Sequence, residues 1–308
     1  MNKIVITGGN GFIGKELIKI IIKTKYTVYV LDKNINKNKR LNNIFFLKVD
    51  ITNSKSINKI IKKIRPDCLV HLAAVHHIPT CEEKRQLTQK VNIIGTENLL
   101  KSLEKFPPKK FIFASSGAVY DWQKNHLDEI KTKIKPNDNY SLTKYTSEIQ
   151  IKLWSNKIKR TQVFLARIFN TIGPNDPNSH LIPDILKQIN FKHKKQSILL
   201  GNIKSKRDYI DVRDTAKCLS LMIKKKSKTG FEILNVCNQT NYSVKEIVET
   251  IGKILKSKII IKIDPKKIRK VDRHSQIGSN KKIKRFLNYN PEYSLNDSIK
   301  NILKNMTK

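Results

Sequence analysis

The first half of the chain alternates short apolar runs with longer segments in which apolar residues recur every three or four positions. The apolar runs have the length of strands and lie at residues 3–8, 27–32, 44–50, 67–74, 109–116 and 161–170. The spacing between them predicts helices at residues 12–24, 54–64, 88–106 and 140–157. Strands that alternate with helices indicate βαβ units, so we predict an α/β fold built on a parallel sheet.

The pattern becomes less regular after residue 170, where prolines interrupt the chain and the elements shorten. We therefore predict a first domain at residues 1–170 and a smaller lobe made mainly of residues 171–308. Segments at about 205–240 are expected to return to the first sheet.

The charge is strongly positive, with 62 Lys and Arg against 25 Asp and Glu in 308 residues, a formal net charge of +37. Such a charge is typical of nucleic-acid-binding proteins. Here the lysines are spread along the whole chain, without an arginine-rich block or the interleaved aromatic residues of a base-stacking surface. This favours a compositional bias over nucleic-acid binding, although the field would still attract anionic small substrates.

The remaining composition points to a cytoplasmic protein. The four cysteines lie far apart and form no C-x-x-C pair, so neither a disulfide framework nor a metal site is predicted; they are Cys68, Cys81, Cys218 and Cys237. No long apolar region precedes the first glycines, and lysines interrupt every later apolar run before about 18 residues. We expect neither a signal peptide nor a membrane span.

A glycine-rich turn joins the first predicted strand to the first predicted helix. Gly8, Gly11 and Gly14 have the G-x-x-G-x-x-G spacing, and Asp32 ends the next strand. Glycines at such a turn let the backbone approach a pyrophosphate, which the helix N-terminus attracts. The acid can bind the ribose hydroxyls and repels a 2′-phosphate, so NAD is predicted over NADP, although Lys33 follows Asp32.

Tyr140 and Lys144 lie four residues apart in a predicted helix, which places them on one face, one turn apart. In a chain so rich in lysine this pair alone is more often structural than catalytic. Its meaning depends on the other motifs along the chain.

Those motifs, in their order, resemble the extended short-chain dehydrogenases of the NAD-dependent epimerase/dehydratase family, which act on nucleotide sugars. The resemblance covers nearly the whole chain and is carried by TGGNGFIG (7–14), VDITN (49–53), HLAA (71–74), VNIIGTENLL (91–100), FASSGAVYD (113–121), YSLTK (140–144), ARIFNTIGP (166–174), RDYIDVRD (207–214) and NVCNQTNYSVKEI (235–247). It implies a doubly wound Rossmann domain and a smaller α/β C-terminal lobe that binds the nucleoside-diphosphate sugar.

The resemblance also implies roles for individual residues. The catalytic residues are Tyr140, Lys144 and Ser116, with Ser115 the weaker candidate for the serine. Cofactor-binding positions are Gly8, Gly11, Phe12, Ile13, Gly14, Asp32, Asp50, Ile51, Leu72, Ala73, Ala74, Asn92, Tyr140 and Lys144. Substrate-binding positions are Ser116, Asn170, Arg207 and Arg269. His71 is expected to be structural, and His76 falls where related epimerases often have lysine.

The predicted chemistry centres on the phenol of Tyr140. A free phenol has a pKa of about 10, and we expect Lys144 together with a positive nicotinamide to lower it. The phenolate can then take a proton from a sugar hydroxyl while hydride passes to the cofactor.

The motifs leave more than one reaction open. Dehydratases of the family carry an Asp-Glu pair where this chain has Gly117 and Ala118, which argues against 4,6-dehydration. An NAD-dependent nucleotide-sugar 4-epimerase, similar to UDP-hexose 4-epimerases, is the first hypothesis. The segment at 269–291 instead resembles GDP-4-keto-6-deoxyhexose reductases, although Ser279 replaces their aspartate, so an NAD(P)H-dependent reductase is the alternative.

Two further expectations concern partners. The resemblance implies a homodimer in which the helices predicted at 140–157 and 88–106 form a four-helix bundle with those of a second copy. A third hypothesis, a nucleic-acid-binding protein on a dehydrogenase fold, rests on the charge alone.

Overall fold

The computed structural model describes residues 2–124, 126–178, 180–268 and 273–306. Its strands are β1 (Lys3–Thr7), β2 (Thr27–Asp32), β3 (Lys39–Leu41), β4 (Ile44–Lys48), β5 (Cys68–His71), β6 (Lys110–Ser116), β7 (His126–Leu127), β8 (Gln162–Ile168), β9 (Asn170–Ile172), β10 (Lys195–Leu200), β11 (Lys206–Asp211), β12 (Phe231–Val236), β13 (Asn241–Ser243), β14 (Lys258–Ile263) and β15 (Ile277–Gly278).

The α-helices lie between and after these strands. They are α1 (Phe12–Ile21), α2 (Ser54–Ile64), α3 (Ile78–Glu83), α4 (Arg85–Gln89), α5 (Gly95–Leu103), α6 (Asn139–Ile158), α7 (Leu181–Lys187), α8 (Val212–Lys224), α9 (Val244–Leu255), α10 (Lys281–Leu287) and α11 (Leu295–Met306). None of the helices in the described ranges is long and apolar enough to cross a membrane.

The main sheet has the order β12-β8-β6-β5-β1-β2-β4-β3. All its neighbouring strands are parallel except β3, which runs antiparallel to β4 at the edge. The chain builds outward from β1 to β4 and then crosses back to β5, so the carboxyl ends of β1 and β5 flank a crevice. This confirms the predicted doubly wound α/β fold.

Helices cover both faces of this sheet. One core contains Ile4 and Ile6 of β1 with the apolar faces of α1, α8 and α10. The other contains Val5 with the apolar faces of α2, α5 and α6. Alternate residues of one strand therefore enter opposite cores, as the period of two requires for a strand buried on both sides.

A third core lies in the smaller lobe, between α7, α9 and α11, the β10–β14 pair and the three-stranded sheet β13-β11-β9. The region at about 205–240 is shared between the two parts. β11 belongs to the three-stranded sheet, whereas β12 lies at the edge of the main sheet beside β8 and α8 packs against its core.

Some local features differ from the sequence expectation, among them one strand and one helix of the main sheet region. β3 was not predicted, because its three residues are exposed and it is held at the sheet edge, where Arg40 also lies over the Phe45 ring. The helix predicted at 88–106 instead runs from Arg85 to Leu103, with a π-helical turn at Lys90–Ile94 between α4 and α5.

Candidate active site

A large cleft, with a volume of about 1020 Å³, opens at the carboxyl ends of the main sheet and continues into the smaller lobe. Both the glycine-rich turn and the Tyr140–Lys144 pair line it. Such a crevice at the switch point of a doubly wound sheet is the usual ligand site of the fold.

The glycine-rich turn has room for backbone only. Gly8 has a φ of +70°, and a Cβ there would lie 2.6 Å from the Ala73 nitrogen. A Cβ on Gly14 would lie 2.6 Å from the backbone of Gly9. Gly11 is the N-cap of α1, so no side chain covers the first N–H groups of that helix. The turn therefore fits a pyrophosphate at the helix N-terminus.

Asp32 lies at the end of β2, where it lines the cleft and is almost fully buried. Its carboxylate accepts hydrogen bonds from the backbone N–H groups of Asn10 at 3.1 Å and Asn34 at 2.9 Å. These bonds orient an anion next to the phosphate turn, and each carboxylate oxygen keeps a free lone pair for a ribose hydroxyl. These acceptor oxygens therefore fit the hydroxyls of the adenosine ribose of NAD.

The catalytic candidates come from two elements that meet at the cleft. Ser116 ends β6, and Tyr140 lies in the first turn of α6, which begins with a capping box formed by Asp138 and Ser141. Both side chains line the cleft, and Ser116 is close enough to Tyr140 to act on the pKa of its phenol. Ser115 is occupied differently, since its hydroxyl donates to the buried Glu148 carboxylate. The geometry favours Ser116 as the serine of the site.

Lys144 lies one helical turn after Tyr140 and is buried. Its ammonium donates to the Ala114 carbonyl at 2.7 Å and lies 6.0 Å from the centre of the Tyr140 ring. Burial lowers the pKa of Lys144 to about 8, while the nearby Cys81 and Glu148 oppose that shift. The fixed ammonium is therefore a group that can lose its proton just above neutral pH.

The pKa of the Tyr140 phenol depends on its surroundings in the protein. Burial raises its pKa above the ordinary value, and the nearby Ser116 hydroxyl opposes that rise only in part. Desolvation of the phenolate therefore outweighs the stabilising effect of the protein's own groups. The lowered pKa expected from Lys144 together with a positive nicotinamide stays a prediction for the protein with its cofactor bound.

Neither of the two positions after Ser116 carries a carboxylate. A Cβ on Gly117 would lie 2.8 Å from the Phe169 ring, so a side chain there would require the ring to move. Ala118 lines the cleft with a methyl group only. The packing therefore agrees with the absence of the dehydratase acid pair.

Most of the predicted site residues line this one cleft. They are Gly8, Gly11, Phe12, Ile13, Gly14, Asp32, Asp50, Ile51, Leu72, Ala73, Ala74, Ser116, Tyr140, Lys144, Asn170 and Arg207. Arg269 lies outside the described residues.

Asn92 is the exception, because it is buried outside the cleft lining. Its side-chain oxygen accepts from the Val75 N–H at 2.8 Å, and its nitrogen donates to the Val75 carbonyl and to the Thr143 hydroxyl. Asn92 thus connects the loop after β5 to α6, and any effect on the cofactor would pass through that loop.

The two histidines near the cleft have different surroundings. His71 is buried between the hydroxyls of Thr7 and Thr96, at 2.7 Å and 3.0 Å, and burial lowers its pKa to about 3. A neutral ring that is hydrogen-bonded at both nitrogens agrees with the structural role expected for His71. His76 lines the cleft and lies 2.9 Å from the Asn178 amide nitrogen.

Sequence reasoning missed several cleft residues. Trp122, Arg273 and Gln276 line the cleft beside the loop that follows Ser116. Arg273 and Gln276 lie in the segment 269–291 that was singled out, but only the tertiary contact of that segment with residues 117–122 identifies them. His180, which also lines the cleft, lies 2.7 Å from the Asp176 carboxylate.

Comparisons with known proteins agree with this geometry. The model of the NAD-dependent epimerase/dehydratase family matches residues 4–237. The chain is 30% identical to the GDP-6-deoxy-D-talose 4-dehydrogenase of Aggregatibacter actinomycetemcomitans, covering 99% of this chain and 97% of that protein. It is 26% identical to a UDP-glucose 4-epimerase of Lactobacillus helveticus, covering 96% and 94% of the two chains.

The fold is also that of a solved epimerase. The structure of UDP-glucose 4-epimerase with UDP-glucose from Thermotoga maritima superimposes with a TM-score of 0.87, at 24% identity, over 99% of this chain and 98% of that chain. The chain therefore belongs to the NAD-dependent epimerase/dehydratase family and is an enzyme whose cofactor is NAD.

Proposed function

We propose that this enzyme is a nucleotide-sugar 4-epimerase in which Tyr140 is the acid–base residue. The observation that carries the proposal is that Ser116, Tyr140 and Lys144 line the same cleft as the glycine-rich turn, with Ser116 close enough to Tyr140 to lower the pKa of its phenol. Asn170 and Arg207 line that cleft and supply an amide and a guanidinium for the sugar and the diphosphate. The similarity to UDP-glucose 4-epimerases supports the substrate class.

The mechanism follows from the positions of three side chains. Tyr140 accepts the proton of the sugar 4-hydroxyl and returns it after the sugar has presented its other face. Ser116 orients the reacting oxygen by hydrogen bonding. Lys144, fixed by the Ala114 carbonyl, places a positive charge beside the ring that stabilises the phenolate. When bound, NAD supplies the acceptor and donor of the C4 hydride.

A one-way C4 dehydrogenase or reductase is the second candidate. It uses the same three residues, and the similarity to GDP-6-deoxy-D-talose 4-dehydrogenase over nearly the full length favours it. The two candidates differ in cofactor handling, because an epimerase regenerates its NAD in each cycle, whereas a dehydrogenase or reductase must exchange it.

Cofactor retention separates the two. The protein would be purified without added nucleotide and denatured, and the released nucleotide identified by mass spectrometry. Near-stoichiometric NAD together with interconversion of UDP-glucose and UDP-galactose would support the epimerase. An empty protein that oxidises NADH or NADPH with a nucleotide 4-keto-sugar would support the reductase. Tyr140→Phe should lower either turnover by roughly 100-fold or more while NAD still binds, and an unchanged rate would exclude Tyr140 as the acid–base residue.

We also propose a homodimer through the α4–α6 face, defined as the exposed apolar side chains Leu87, Ile94, Leu142, Ile149 and Leu153. α6 buries Ile151 and Trp154 against the main core, so it is apolar on two sides. A helix that is apolar beyond its core-facing stripe is suited to a second packing partner. Two copies joined here would form the four-helix bundle implied by the family resemblance.

We also propose a cytoplasmic location for the protein. The four cysteines are all buried free thiols, as expected of a protein that folds in a reducing compartment.

A further inference from the structure

Arg273 is a buried cation in the wall of the catalytic cleft. Its side chain lines the cleft, and the residue is only 5% exposed. One guanidinium nitrogen, Nη2, donates to the Tyr120 carbonyl at 2.8 Å. The buried Nε has no hydrogen-bond partner among the described residues. Burying a guanidinium without an anion carries a large desolvation penalty, so a buried guanidinium is usually paired with an anion.

The charges around Arg273 make a charged guanidinium without an anion less favourable. Burial, and after it the positive charge of Arg207, lowers the pKa of Arg273 to about 10. The carboxylates of Asp121 and Asp138 act in the opposite direction, but neither is in an ion pair with it in the described part of the chain. Arg207 also donates to the Arg273 carbonyl at 2.6 Å, so two cationic residues lie side by side at the cleft.

The contacts of Arg273 show which part of the cleft it lines. Tyr120, its hydrogen-bond partner, lies four residues after Ser116. Gln276, three residues after Arg273, donates to the Gly117 carbonyl at 3.3 Å. The guanidinium also lies 5.4 Å from the centre of the Trp122 ring. The segment that carries Arg273 therefore lies along the loop that begins at the catalytic serine, at the end of the cleft where chemistry takes place.

We propose that Arg273 binds an oxyanion at the sugar end of the nucleotide-sugar substrate, an assignment that rests on the proposed function. Two groups of the same chemistry can supply this oxyanion: the phosphate attached to the sugar, or a carboxylate carried by an acidic sugar. Either would receive the unused N–H donors of the planar guanidinium in a partly desolvated site, where such bonds are strong. A purely structural role would require only the bond to the Tyr120 carbonyl.

The test is a binding measurement that does not depend on turnover. Isothermal titration calorimetry would compare wild-type protein, Arg273→Gln and Arg273→Lys, with UDP, GDP, UDP-glucose, GDP-mannose and UDP-glucuronic acid as probes. Arg285→Gln is the matched control, because Arg285 is exposed on α10 and is not among the residues lining the cleft. Thermal melting and NAD binding would verify that each variant is folded.

We expect Arg273→Gln to weaken binding roughly 10- to 100-fold, as for the loss of a charge-assisted hydrogen bond, and Arg273→Lys to lose less. An equal loss of affinity for the nucleoside diphosphates and for the nucleotide sugars would identify the phosphate as the ligand. A loss confined to UDP-glucuronic acid would identify a sugar carboxylate. Folded Arg273 variants that bind every probe as wild-type protein does would overturn this inference and leave the proposed function intact. Wild-type protein that binds none of the probes would overturn both.

Discussion

The buried ion pair between Glu148 and Arg167 supports the floor of the site, and its removal should be strongly destabilising. The two side chains are 4% and 3% exposed and form two hydrogen bonds, at 3.0 Å from Arg167 Nε and 2.7 Å from Nη2. Glu148 also accepts from Ser115, the neighbour of Ser116. The substitution Glu148→Gln preserves the shape of the side chain but leaves the guanidinium of Arg167 buried without a counter-charge.

Breaking a buried pair from one side typically costs about 3 to 5 kcal/mol, because the remaining charge keeps its full desolvation penalty. We expect Glu148→Gln to lower the free energy of unfolding by this amount, measured by urea denaturation monitored by circular dichroism. Adding Arg167→Met should restore much of the loss, because the unpaired charge is then removed as well.

Glu249→Gln is the control. Glu249 forms a 3.8 Å pair with Lys245, and both side chains are more than half exposed, at 52% and 64%. Solvent-exposed pairs contribute about 0 to 1 kcal/mol, so this variant should unfold almost as wild-type protein does. If Glu148→Gln lost no more stability than Glu249→Gln, or if adding Arg167→Met deepened the loss, the argument from desolvation would be refuted.

Three further predictions follow from the site and the α4–α6 face. Folded Lys144 loses its proton near pH 8 and unfolded lysine near 10.5, so the unfolded state binds more protons between these values and the stabilising contribution of Lys144 rises with pH. The unfolding free energy of wild-type protein relative to Lys144→Met should therefore increase between pH 7.5 and 10 by up to about 3 kcal/mol. Asp32→Ala should weaken NADH and shift the NADH over NADPH affinity ratio toward NADPH by roughly tenfold, measured by fluorescence titration. Leu153→Glu should convert a dimer to monomers in analytical ultracentrifugation, whereas Ile130→Glu, at an 86% exposed position outside that face, should not.

Each of these has a contradicting result. If the unfolding free energies of wild-type protein and Lys144→Met differed by the same amount at pH 7.5 and at pH 10, Lys144 would have its ordinary pKa in the folded protein. Parent protein that already prefers NADPH would contradict the role given to Asp32. Monomeric wild-type protein would contradict the proposed dimer.

The fold and the cofactor site could be predicted from local sequence features. Strands buried on both faces require continuous apolar runs, and the helices between them require the three-to-four spacing. The glycines of the phosphate turn are a local requirement too, since Gly8 and Gly14 have backbone contacts that exclude a Cβ. These properties depend on neighbours in the chain, so the pattern of residues was sufficient to recognise them.

Other properties arise only when distant segments meet. Arg273 became a candidate because residues 273–276 lie along residues 117–122, about 150 positions earlier in the chain. The pKa of Tyr140 is raised because the fold removes its phenol from water. The second apolar side of α6 is recognisable only once its first side is seen to be buried. Local periodicity specifies backbone geometry, whereas solvation and charge depend on the three-dimensional surroundings, which only the folded chain provides.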